Sequence, residues 1–387
     1  VTMPDVIIGE WKLLRVTLEG LGPFRNGRQI FDITGADTDD VESETTDAAS
    51  MYMILAANGF GKTTVLEAIY GLYGLLNSVP HGKFADGTFN GRAQIDVKVS
   101  WILEGVSQTM VLSLWTGTEQ PVDPLSTVDL ENLAVTDMWA KLGLDSSGAI
   151  TAGSNDFGRR IFQALKQGLD APPTELFGLS QNLPSVLYFP ADRRVVAPTR
   201  HEAVTRPANW GYQPAVHLGS DGPDWGSSID NVLVWLEWLA TAPGADLRDQ
   251  RVNDLLEFVN ELIFKDASDK RIERPDREEL RSYVRTRHGL HTLNALSHGE
   301  RAMLHILART LTHMTSNTIV LIDEIEIHLH TRWLSRMFEA LKDLLRSYPA
   351  VTLIFTTHHL ALIDLYRFEV KEPGLIKGGY LIDTDIL

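Results

Sequence analysis

A chain of 387 residues, 44% hydrophobic and without a cysteine, has room for two or three domains, or for one large α/β domain with an insertion. It excludes disulfides and thiolate metal sites and is compatible with a reducing cytoplasm. Thirty-five basic against 51 acidic residues give a formal charge of −16, which confines any grip on nucleic acid to a local patch or to a partner. No basic segment leads into an apolar run at the N-terminus, and no apolar run approaches the roughly 20 residues that cross a bilayer. The sequence therefore predicts no signal peptide, no membrane span and a cytoplasmic location.

In chain order, Trp11–Glu19 reads as a strand, Gly20–Phe24 as a turn and Gln29–Ile33 as the returning strand of a hairpin. The acidic stretch from Asp37 to Asp47 reads as a solvated loop. Met51–Leu55 is a short apolar strand, and Lys62–Leu76 predicts a helix with Leu66, Ile69, Tyr70 and Tyr73 on one face. Ile95, Val97, Val99, Trp101 and Leu103 alternate strictly, as do Met110, Leu112 and Leu114, which predicts an antiparallel side sheet. Residues 127–290 are the least regular. Helices are expected at Asp156–Gly168, Ser228–Ala240 and Leu247–Phe264 around a strand at Ser185–Pro190, and the segment reads as a compact helical insertion without the heptads of a coiled-coil arm. A helix at Gly299–Thr315, an apolar strand at Thr318–Ile322, an amphipathic helix at Arg332–Ser347 and a strand at Val351–Phe355 follow. Strands apolar on both faces, alternating with helices, predict an α/β fold with a mostly parallel sheet. The expected division is 1–126, 127–290 and 291–387.

Ala56-Ala57-Asn58-Gly59-Phe60-Gly61-Lys62-Thr63-Thr64 follows a strand and opens a helix, the setting a phosphate-binding loop requires. Gly59 and Gly61 let the backbone of Asn58, Phe60 and Thr64 curl so that its N–H groups face phosphate oxygens, and the helix start adds its partial positive charge. Lys62 can reach β- and γ-phosphates, and the Thr63 hydroxyl is placed to ligate Mg²⁺. Ala56 stands where Gly usually opens such a loop, which is workable if its φ is negative. The competing reading is a Gly-rich turn with no ligand.

Asp323 and Glu324 end the buried strand Thr318–Ile322, and ligands of open α/β sheets gather at the carboxyl ends of strands. Asp323 would hold Mg²⁺ through water, and Glu324 would polarise an attacking water in line with the γ-phosphate. Otherwise the two carboxylates cap the next helix. In Leu296-Ser297-His298-Gly299-Glu300-Arg301, Ser297 caps a helix with an exposed first turn, a second anion site or an ordinary N-cap. His358 follows the next buried strand at the same sheet edge, where a lone histidine would otherwise be structural.

Together these motifs resemble the head of ABC-type ATPases, over roughly the first 115 residues and from Leu290 to Asp364. The resemblance implies a P-loop NTPase fold, ATP with Mg²⁺, and hydrolysis in which Lys62, Glu324 and His358 act on the γ-phosphate. It also implies a head-to-tail homodimer, in which Ser297, Gly299 and Glu300 meet the partner's nucleotide. Asp323 to His330 is similar to the DE-x-E-x-HLHP stretch of bacterial AAA-type ATPases grouped with RecF and the overcoming-lysogenization-defect proteins, with Thr331 replacing Pro. Gly20 to Phe24 resembles the opening of DNA-repair heads, and the Pro-Thr and Ser-Ala-Leu-Asp segments of membrane transporters are absent. That kinship implies DNA repair or anti-phage defence. No acidic cluster suffices for a two-metal nuclease, so a nuclease is expected as a separate subunit. The rivals are a transporter's nucleotide-binding subunit, an ATP-gated scaffold with slow turnover and, least favoured, a P-loop kinase.

Three features stay open at this level. Arg193 and Arg194, after Tyr188-Phe189-Pro190, could salt-bridge the core, sense phosphate or contact a partner. Gln181 could be a glutamine that couples the insertion to Mg²⁺. Arg271, Arg274, Arg277, Arg281, Arg285 and Arg287, interspersed with Asp276, Glu278 and Glu279, read as a solvated helix face rather than a nucleic-acid groove.

Overall fold

Strands that are apolar on both faces need cover on both faces, and the central sheet has it. The computed structural model describes residues 7–35, 47–85, 89–103, 105–124, 139–151, 155–170, 182–193, 203–219, 224–241, 251–265, 269–327, 329–370 and 377–382. The chain runs β1 (Ile7–Glu19), β2 (Gln29–Asp32), β3 (Thr34–Gly35), β4 (Asp47–Ala48), β5 (Met51–Leu55), α1 (Lys62–Gly74), β6 (Arg92–Leu103), β7 (Val106–Thr116) and β8 (Trp139–Gly143). It continues through α2 (Asp156–Asp170), β9 (Pro184–Phe189), β10 (Ala215–His217), α3 (Ile229–Thr241), α4 (Arg251–Phe264), β11 (Arg271–Ile272), β12 (Tyr283–Thr286) and β13 (Gly289–Thr292). It closes with α5 (His298–His313), β14 (Asn317–Ile322), α6 (Thr331–Ser347), β15 (Thr352–Thr357), α7 (Ala361–Glu369) and β16 (Gly378–Ile382). Nearly all of the acidic stretch expected as a loop, together with Gln181, Arg194 and His328, lies outside the described residues.

The main sheet has the order β10-β9-β14-β15-β5-β16, with every pairing parallel. Alternation of side chains divides its residues between two cores. Ile54, Val186, Tyr188, Ile319, Leu321 and Ile354 pack against α1 through Leu66, Ile69 and Leu72. Met53, Leu187, Phe189, Val320, Ile322 and Phe355 pack on the other face with Val232, Val259, Leu307 and Leu341. The second sheet, β2-β1-β6-β7-β8, is antiparallel except that β8 joins β7 in parallel, which the alternation of 95–103 and 110–114 did not foretell. Trp11 ties this sheet to the main one. Its indole N–H donates to the Tyr73 hydroxyl of α1 at 2.5 Å, and its backbone N–H donates to Asn317 Oδ1 at 3.1 Å. No helix among the described residues is long and apolar enough to cross a membrane.

Residues 127–290 supply more than helices. β9 lies between β10 and β14, paired from Asn317↔Pro184 to Ile322↔Phe189, so this segment builds part of the main sheet. The arginine-rich stretch is a three-stranded antiparallel sheet, β11-β12-β13, and not the expected helix face. Tyr283-Val284-Arg285-Thr286 favours a strand, and Gly289 at φ +120 closes the hairpin. Four of its arginines, each more than half exposed, pair with carboxylates: Arg271 and Arg285 bind Glu273, while Arg274 and Arg277 share the buried Glu237 at 3.0 and 2.6 Å.

His305 joins α5 to the sheet. It is 2% exposed, lies edge-on to Phe189, and its Nε2 meets Leu218 O at 3.2 Å. Burial, reinforced by Arg309, pushes its pKa down to about 3. A histidine whose folded pKa lies below its unfolded value stabilises the fold above about pH 6.5 and loses that contribution as pH falls toward the folded pKa. Urea unfolding at pH 7 and pH 5 is expected to show about 2 kcal/mol less acid destabilisation for His305→Gln than for the parent chain. Equal losses in the two proteins would contradict this.

Candidate functional site

Because β9, β14, β15 and β5 are parallel neighbours, their C-terminal ends share one edge, the usual ligand edge of such sheets. That edge gathers Pro190 to Arg193, Asp323 to Ile325, Thr356 to His358, and the loop from Ala56 to Gly61.

The loop curls as its glycines allow. Gly59 and Gly61 have φ of +92 and +91, and Gly61 is the N-cap of α1. A Cβ on Gly61 would lie 2.5 Å from the Phe24 ring, because the Gly22–Phe24 turn packs against the loop. Ala56 is not among the non-glycine residues with positive φ, so it occupies the usual glycine position without strain. Lys62, 7% exposed, donates from Nζ to Ala56 O at 2.6 Å and Ala57 O at 3.1 Å. Burial lowers its pKa, opposed by the charges of Glu324, Asp323 and Glu326. Phe60 is exposed at the crown of the loop.

The two halves of the site meet across 260 residues, where the Thr63 hydroxyl donates to Asp323 Oδ2 at 2.8 Å. The other oxygen, Oδ1, accepts from the Thr356 hydroxyl at 2.5 Å. Thr356 Oγ1 also accepts from Glu324 N at 2.8 Å. Glu324 has a left-handed backbone, φ +46. His358 Nδ1 lies 3.1 Å from Glu326 Oε1 and 3.8 Å from Glu324 Oε1. Glu326 Oε1 also accepts from the Thr357 hydroxyl and His358 N at 2.9 and 3.1 Å. Thr63 and Asp323 thus offer hard oxygen donors at one spot. This fits Mg²⁺, which takes one or two protein oxygens and completes its shell with water and phosphate.

Ser297, Gly299 and Glu300 stand at the start of α5, with contacts of their own. Ser297 Oγ accepts from Glu300 N at 3.3 Å, and Glu300 accepts from Ser297 N at 2.8 Å, a reciprocal capping box. Ser297 and His298 are exposed. Gly299 packs on the Trp333 ring, which a Cβ would meet at 2.8 Å. Within the chain, the Glu300 carboxylate is engaged by Ser297 N at 2.8 Å and by Lys270 Nζ at 2.7 Å.

Sequence reasoning missed Thr356, and it left Arg193 open among three roles. Arg193 is buried, and its guanidinium donates to the carbonyls of Pro190, Asp323 and Glu324 at 3.0, 2.5 and 2.9 Å. Gln181 lies outside the described residues.

A family model described as an AAA domain, putative AbiEii toxin, Type IV TA system matches residues 206–364. That span holds Ser297, Asp323, Glu324 and His358 and stops short of the phosphate loop. No curated protein matches the chain. Among solved structures, the SMC head domain from Thermotoga maritima is 13% identical with a TM-score of 0.36, covering 91% of each chain. An SMC head bound to the C-winged helix domain of ScpA is 11% identical with a TM-score of 0.38, covering 91% of this chain and 92% of that one. A dimeric post-hydrolysis state of an ATP-binding cassette, bound to ADP and Pi, is 12% identical with a TM-score of 0.30, covering 91% of this chain and 89% of that one. The parallel sheet and the phosphate loop at its carboxyl edge make a P-loop nucleotide-binding fold, and the family model that matches the second half of the site is that of an AAA domain.

Proposed function

We propose that this chain hydrolyses ATP at a site completed by a second copy of itself and passes the resulting change to a partner. The observation that carries the reading is the Thr63–Asp323 contact of 2.8 Å, which brings the phosphate loop and the acidic strand end together. Backbone N–H groups from Asn58 to Thr64 hold the phosphates, with Gly59, Phe60 and Gly61 shaping the cradle. The Lys62 amine leaves Ala56 O and Ala57 O for β- and γ-phosphate oxygens. Thr63 and, through water, Asp323 would hold Mg²⁺, which neutralises charge developing on the phosphates. Glu324 accepts the proton of a water aligned with the γ-phosphate. His358, its Nδ1 on Glu326, presents Nε2 to the same phosphate.

The partner's Ser297 hydroxyl and the backbone N–H groups around Gly299 close the site from the opposite side, with Glu300 acting through the cap it maintains. Exposure of Ser297 and His298 at the start of a 16-residue helix supports this. A mixture of Lys62→Ala and Ser297→Arg tests it. Each variant alone should release little phosphate, whereas mixed pairs contain one intact composite site. Mixing is expected to restore a measurable fraction of turnover. A mixture as inactive as its components would count against a shared site.

We further propose a cytoplasmic setting in DNA repair or anti-phage defence, with a separate effector such as a nuclease. The segment from Asp323 to Leu329 and the toxin named in the matching family's description support this direction. Pull-down from the native host, with phosphate release measured with and without DNA, tests it. Recovery of a permease instead of an effector would overturn it.

A further inference from the structure

The turn from Asp323 to Ile325 is gripped from two sides. On one side, Thr356 binds Glu324 N and Asp323 Oδ1, and Ile325 N donates to Thr356 O at 3.1 Å. On the other side stands Arg193, 3% exposed, from the end of β9. Its Nη1 donates to Pro190 O and Asp323 O, and its Nη2 donates to Glu324 O at 2.9 Å and reaches Ile325 O at 3.5 Å.

Successive carbonyls of an extended strand point to opposite sides, so one guanidinium cannot bind several of them in a row. The left-handed backbone of Glu324 breaks that alternation and turns the carbonyls of 323, 324 and 325 toward one donor. Such a conformation costs a non-glycine residue about 1–2 kcal/mol and persists only where the surroundings over-determine it. Glycine would adopt it freely but would bring no carboxylate. The planar fork of arginine supplies several charged hydrogen bonds in fixed directions, which offsets the cost. Burial outweighs the opposing pull of Asp323, Glu326 and Glu324 and brings the guanidinium down to about 10, so it remains charged at neutral pH.

We propose that Arg193 is a positioning residue for ATP hydrolysis, holding the Glu324 backbone in the conformation from which its carboxylate meets the attacking water. The proposal rests on Glu324 as the base. Arg193 acts through main-chain carbonyls and not through the phosphates, so its removal should affect the chemical step and spare nucleotide binding. Misplacing a reacting group by an ångström can cost about 100-fold in rate.

Arg193→Lys keeps the charge and loses the fork; Arg193→Ala loses both. For each, a fluorescent ATP analogue measures Kd and phosphate release measures kcat, with thermal unfolding as a check on the fold. The expected result is a Kd within about threefold of the parent and a kcat lower by about 10- to 100-fold. Guanidinium ion at low millimolar concentration should return part of the kcat to Arg193→Ala and none to the parent. A Kd weakened in step with kcat would mean a direct phosphate contact and overturn the proposal. An unchanged kcat would overturn it as well. Failure of both variants to fold would make Arg193 a purely structural residue. Glu324→Gln assayed alongside separates the two levels. If it keeps turnover, the assignment of the base has failed; if it is dead while Arg193→Lys keeps full kcat, only the positioning role has failed.

Discussion

Glu324→Gln should bind ATP as the parent chain does and lose turnover by about 10²- to 10⁴-fold, the range expected for a positioned general base. The amide keeps the size of the side chain, its backbone hydrogen bond to Thr356 Oγ1 and the carbonyl contact to Arg193. What it loses is the ability to take a proton. Single-turnover hydrolysis measured against a binding titration separates the two effects. Turnover within tenfold of the parent would move the base elsewhere, with Glu326, hydrogen-bonded to His358, as the next carboxylate to examine.

Lys62→Ala should instead lose binding. The amine is buried, and its contacts in the structure are the two loop carbonyls of Ala56 and Ala57. Burial lowers its pKa while three nearby carboxylates work against that. Phosphate oxygens would supply a stronger set of acceptors, and a hydrogen bond to a charged group contributes about 1.5–3 kcal/mol. Two such bonds correspond to a loss of about 100-fold or more in ATP affinity. The loop should keep its shape, because Gly59, Gly61 and the Phe24 contact are untouched. A fluorescent-nucleotide titration with unchanged affinity would mean that the lysine does not reach the phosphates.

The parts of this site that are local in sequence were legible there. The phosphate loop is one strand, one curl and one helix within a few residues, and its glycines are required by the backbone conformation itself. Asp323 and Glu324 announce themselves by following a strand apolar on both faces, and Ser297 by standing as an N-cap with Gly299 beside it at a helix start. The parts made by distant contacts were not. Arg193 lies 130 residues from Asp323 and binds backbone carbonyls, a pairing that leaves no pattern of residue types in the chain. The same holds for β9. Periodicity identified a buried strand at 185–190, but nothing in it specified a place between β10 and β14. The arginine-rich segment misled for a different reason. Mixed charge suggested a helix face, whereas β-branched and aromatic residues at 283–286 and a left-handed glycine at 289 build a hairpin there.

A shared site requires the Ser297 end of α5, which makes its own contacts with Lys270 and Trp333, to meet the nucleotide of a second copy. Light scattering of Glu324→Gln in Mg²⁺ with ATP, and again with ADP, tests it most directly. The expected result is twice the chain mass with ATP and the single-chain mass with ADP, with Ser297→Arg in the same background abolishing the difference. A mass that is the same with ATP and ADP, while ATP is bound, would contradict it.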